Sequence, residues 1–184
     1  MLGGVVMVVA MAWMTPAFAL KPPTSVDQES ASLLHHLLSM ANLVFHEAGH
    51  VIFSFLGTFM TVLGGSLLEV LIPAVAGVAL WQAGSTVGPP FALWWTGQAM
   101  TEVATYMADA RGGRLMLLGG QTGYDAPEGH DWRNLLSWTG LLEWDVTLGW
   151  VVHLAGATLM FAGLGWLAWL CWQGLLRALI ARQA

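Results

Sequence analysis

The chain has 184 residues, 57% of them hydrophobic and only 9% charged, with a mean hydropathy of +0.65. Soluble domains carry about a quarter charged residues, so this composition excludes an ordinary soluble domain and predicts an all-α, polytopic membrane helix bundle surrounded by lipid. The net charge is −5 and the six basic residues never cluster, which excludes nucleic acid as a partner; the lone Cys171 excludes an internal disulfide.

Residues 1–20 are apolar and close on Ala17-Phe18-Ala19, a pattern suited to a signal-peptidase site, but no Lys or Arg precedes the run. We therefore read it as an uncleaved first membrane helix, with a cleaved signal peptide as the competing expectation. Residues 21–184 form one membrane-embedded domain. Its opening linker, from Lys21 to Ser30, carries Pro22, Pro23, Asp27 and Glu29, and Ser30 or Ser32 is expected to cap the helix that follows.

That helix, about 32–57, is apolar except for His35, Ser39, Asn42, His46 and His50, whose spacings of four, three, four and four keep them on one face. Gly57 ends it. A second run, 59–82, contains Gly64-Gly65-Ser66 and a single charge, Glu69, the small residues permitting close helix packing. After a break at Gln82–Ser85 and Pro89-Pro90, a third run over about 91–110 carries Gln98, Glu102, Tyr106 and Asp109 as a second polar stripe. The polar loop 111–145 follows, with His130-Asp131-Trp132 and a short amphipathic piece near 134–142. A last run, about 146–176, has His153 as its only ionisable group. Four membrane helices are thus expected after the N-terminal run, each long enough to cross about 30 Å of hydrocarbon. Eleven Trp, several near the ends of apolar runs, suit interfacial belts.

The chemistry concentrates in Phe45-His46-Glu47-Ala48-Gly49-His50. Residues four apart on a helix share a face, so His46 and His50 can both address one Zn²⁺, while Glu47 is placed to take a proton from water beside it. In apolar surroundings such groups are costly and usually functional. A rise of about 1.5 Å per residue brings Glu69, Glu102, Asp109 and His153 to roughly the depth of the two histidines. A catalytic zinc wants three protein ligands. Asp109 is the first choice for the third, then His130 and Asp131; Glu102 is better matched in depth, and Glu69 suits an acceptor for a ligating imidazole. Tyr106, Asn42 or His130 would donate to an oxyanion. His153, alone on an apolar helix, reads as a packed side chain.

His-Glu-Ala-Gly-His in a membrane helix resembles the site-2 protease family of intramembrane zinc metalloproteases. The resemblance covers about 35–110 and implies that His46 and His50 are ligands, that Glu47 is the general base, and that an acid from the third helix completes the site. By topology that acid is Asp109, although it lies in Ala108-Asp109-Ala110-Arg111 and the chain has no Leu-Asp-Gly. Phe-His-Glu-Ala-Gly-His, Leu-Gly-Gly-Ser, Ala-Asp-Ala-Arg and His-Asp-Trp together also resemble a small bacterial membrane-protein family of inferred activity. The expectation is a zinc metallopeptidase of the bacterial inner membrane acting on a membrane protein or peptide. The alternative is a metal-holding or proton-handling subunit of a larger complex.

Overall fold

The structure, a computed structural model, describes residues 2–25 and 32–181. Six α-helices follow one another: α1 (Leu2–Ala19), α2 (Leu33–Phe53), α3 (Thr58–Gln82), α4 (Gly88–Ala108), α5 (Asp131–Trp138) and α6 (Asp145–Ile180). Short 3-10 turns cover Ser54–Leu56, Pro127–Gly129 and Leu142–Trp144. The described residues contain no strand, only an isolated bridge between Met116 and Thr122 in the α4–α5 connection. Three stretches are long and apolar enough to cross a membrane: α1, α3 and the Leu142–Ile180 segment containing α6. The helices with the two polar stripes, α2 and α4, have 21 residues each but are less apolar.

Local chemistry sets the ends of these helices. Ser32 caps α2, its hydroxyl accepting the His35 N–H; Ser30, the other expected cap, lies outside the described residues. Gly57 takes φ +91°, a conformation with little cost only for glycine, and turns the chain from α2 into α3. Pro89 and Pro90 open α4 and do not belong to the preceding break, because a proline in the first turn lacks only an N–H that would have no helical partner. The amphipathic piece starts at Asp131, three residues ahead of its expected place.

Glycines determine which helices touch. Gly149, Gly156 and Gly163 of α6 recur every seven residues. A Cβ at these positions would meet Ala104 O at 2.9 Å, Gly97 O at 2.6 Å and Pro90 O at 2.6 Å, a matching seven-residue register on α4. The α4 and α6 backbones therefore lie in direct contact, as small residues allow between membrane helices. α1 packs on this pair around Met11, Met14, Trp94, Met160 and Leu167, and Trp94 Nε1 donates to Thr15 Oγ1 at 2.8 Å. On the other side α2 and α3 meet at Gly49 and Gly64; a Cβ on Gly64 would come within 2.7 Å of Gly49 O. α2 packs along α3 and touches α4 only sparsely, which leaves a cavity between α2, α4 and the end of α1.

Candidate metal centre

The close approach of α2 and α3 places the backbone of Gly65 against the two imidazoles. A Cβ there would lie 2.6 Å from His46 Nε2 and 2.7 Å from His50 Nε2. Only a glycine leaves this space open between the rings. The ring centroids are 4.9 Å apart, with planes inclined by 77°. His46 Nδ1 lies 3.1 Å from Glu69 Oε2, and His50 Nδ1 lies 2.8 Å from the Thr61 carbonyl. Both Nε2 atoms face Asp131 Oδ2, at 2.9 Å from His46 and 3.3 Å from His50.

These contacts constrain where protons sit. A carbonyl only accepts, so His50 Nδ1 carries the hydrogen. A neutral His50 then presents a bare lone pair to an Asp131 oxygen. His46 has a carboxylate oxygen at each ring nitrogen, so at least one of those contacts has the same problem. The triangle of two Nε2 atoms and one carboxylate oxygen is therefore satisfied only by an added proton or a shared cation. One ligand atom from each of His46, His50 and Asp131 lies within 4.8 Å of the others, so this group could hold a metal ion. The acceptors behind the rings, Glu69 and Thr61 O, stand where outer partners stand behind histidines that bind a metal. Burial opposes the charged form of Asp131, but the two imidazoles more than offset it and hold this carboxyl below its usual range.

The other residues singled out in the sequence divide into those near this group and those elsewhere. Glu47 lines the same cavity, of about 1200 Å³, as His46, His50, Glu69, Glu102, Tyr106 and Asp131. Asp109, the first choice as third ligand, does not reach the imidazoles. It caps the C-terminus of α4 and turns toward the next segment, where Oδ2 accepts the Leu115 N–H at 2.7 Å and Oδ1 lies 3.5 Å from Arg114 Nε. His130 is not beside them either. Its Nδ1 accepts the Arg133 N–H at 3.3 Å as the cap of α5, and burial pushes its pKa below the usual imidazole value.

Asn42 is spent as a donor. Its amide gives hydrogens to Gln98 Oε1 at 2.8 Å and Glu102 Oε2 at 2.6 Å, while its oxygen accepts from Trp95 Nε1 at 2.9 Å. Ser39 donates to the other oxygen of Glu102. The two polar stripes thus meet face to face, with Glu102 bound between them and not at the imidazoles. Tyr106 lies edge-on to His46, and its hydroxyl accepts the Asp131 N–H at 3.0 Å. His153 shares the estimated depth but not the direction; its Nε2 meets Ala19 O at 3.1 Å. Three participants escaped the sequence reading: the Thr61 carbonyl, Gly65 as spacer, and Ser66, which accepts Trp132 Nε1 at 3.0 Å and holds α5 against α3. Leu-Gly-Gly-Ser one helix after the histidine motif was the available signal for the last two.

No protein-family model, no curated protein and no solved structure matches the chain.

Proposed function

We propose that the protein is a membrane-embedded, zinc-dependent peptidase that cleaves peptide bonds in or near the membrane, with α2 and α4 spanning the bilayer beside α1, α3 and α6. One observation carries this reading: two imidazole Nε2 atoms and an Asp131 oxygen converge around a gap kept open by Gly65, with each ring tied from behind at Nδ1. Two imidazoles and one carboxylate are a ligand set of catalytic zinc. A bound Zn²⁺ would lower the pKa of water to about 7 and polarise a carbonyl oxygen. Glu47 accepts the proton from water and returns it to the leaving amine. Tyr106, whose oxygen accepts the Asp131 N–H, lines the same cavity beside the imidazoles. Phe18, Leu20, Met40 and Leu43 give the cavity apolar walls above this polar floor, suited to an extended apolar segment drawn from the membrane.

The likeness to site-2 proteases supports the same reading through His46, Glu47 and His50. The departure is the acid, which follows the third helix of that comparison on a separate short helix. A second reading, a metal-holding or proton-handling subunit, is favoured by Glu102, a carboxylate bound by Ser39 and Asn42 in the same cavity.

Metal analysis of the detergent-purified chain, paired with Glu47→Gln, tests both. A peptidase holds roughly one zinc ion per chain, and Glu47→Gln keeps the ion while peptide cleavage falls by 10²-fold or more. A metal-holding subunit keeps its function with Glu47 changed. A chain with no zinc above background sinks the peptidase reading.

A further inference from the structure

The peptidase reading leaves two fully buried ionisable groups without a task. Asp109 is 1% exposed and His130 is 0% exposed, and Oδ1 of the first and Nε2 of the second have no hydrogen-bond partner among the described residues. They face each other, with His130 Nε2 lying 3.9 Å from Asp109 Oδ2. Because Nδ1 of His130 accepts the Arg133 N–H, the ring of the neutral imidazole carries its hydrogen on Nε2, toward the acid. A face of that ring stacks on Tyr106, with centroids 4.3 Å apart and planes inclined by 29°. Tyr106 in turn receives the Asp131 N–H. Glycine backbone closes the outside of the pair: a Cβ at Gly112 would come within 2.8 Å of Asp109 Oδ1, and one at Gly123 within 2.6 Å of His130 Cδ2. On that side the glycine backbone blocks both side chains.

We infer that Asp109, His130 and Tyr106 are positioning residues that fix Asp131 against the two imidazoles, so that the α4–α5 connection is a mount for the third ligand of a divalent cation. This rests on the metal reading above. Asp131 begins a helix of only eight residues, which is a weak support for a ligand by itself. The acid aligns the imidazole, the imidazole sets the tyrosine ring, and the hydroxyl holds the backbone N–H of the ligand.

The experiment measures zinc affinity by chelator competition, and the absorption of the cobalt-loaded chain, for the whole protein in detergent. Tyr106→Phe keeps the ring, and His130→Asn keeps a residue that caps helices well. Each is expected to weaken zinc binding roughly 10–100-fold, as loss of outer partners does, and to shift the cobalt spectrum. On an Asp131→Asn background the same substitutions are expected to change affinity by less than about twofold, because the route to the metal is already cut. Equal weakening in both backgrounds, or none in either, overturns the inference. If His130→Asn does not fold, Tyr106→Phe alone decides it. Failure of the underlying reading looks different: the unmodified chain then takes up neither zinc nor cobalt.

Discussion

Two pairs of histidines on α2 and α6 do opposite things. In the first set, His46 and His50, all four ring nitrogens meet an acid or a carbonyl. In the second, His35 and His153, one nitrogen of each ring meets Ser32 Oγ or Ala19 O, and the other has no partner among the described residues. His35 also packs edge-on to Trp13 and against Phe18, with centroid distances of 5.4 and 5.0 Å. Both members of the second set thereby hold the end of α1. His35 shares α2 with His46 and His50, so what a histidine does here is decided by how many acceptors its two nitrogens find and not by which helix carries it.

The comparison is most easily broken at the ring nitrogens. His46→Ala or His50→Ala is expected to reduce bound zinc from roughly one ion per chain to background in elemental analysis, while His35→Ala and His153→Ala leave it unchanged. Loss of metal from the second pair would erase the distinction. A smaller effect is expected from Gly65→Ala, which adds one methyl group between His46 Nε2 and His50 Nε2. It should weaken zinc about tenfold or more in chelator competition, on the scale of outer-partner losses, whereas Gly165→Ala, where an added Cβ meets nothing within 4 Å, should not. The smallest effect belongs to His153→Ala. Losing one buried hydrogen bond costs about 1 kcal/mol, and it should loosen α1 without touching the metal. Amide hydrogen exchange in the last turn of α1, which ends at Ala19, should speed up in His153→Ala and stay slow in His46→Ala.

Sequence periodicity was enough to place the first set. Helix geometry puts His35 to His50 on one face of α2 and Gln98 to Tyr106 on one face of α4; of these, Asn42 meets Gln98 and Glu102, while Glu69 reaches His46 from α3. The same arithmetic misplaced the third acid. Asp109 continues the stripe by count, but it is the C-cap just past Ala108, where the chain leaves the helix and the side chain accepts the Leu115 N–H of the following segment. Asp131 stood in the sequence as an alternative; nothing in a helical count says how the connection after α4 folds back, because glycine turns at 113 and 120 set its path. An estimate of depth gives no bearing around the helix axis, and His153 turns to Ala19 O and not to the imidazoles. The α4–α6 contact was legible in retrospect, since glycines at 149, 156 and 163 keep one register with 90, 97 and 104. Read along one helix at a time, that pairing stays hidden.

Asp131 follows His46 by 85 residues, which has a consequence for synthesis of the protein. Ribosomes add about 5–20 residues per second, so the two imidazoles exist for on the order of ten seconds before their third partner emerges. On the proposed metal reading, the nascent chain would offer an ion only a two-nitrogen grip over that interval. Loading would then wait until the connection beyond α4 has closed over the histidines, and a chain that stalls before residue 131 would leave the ribosome empty-handed.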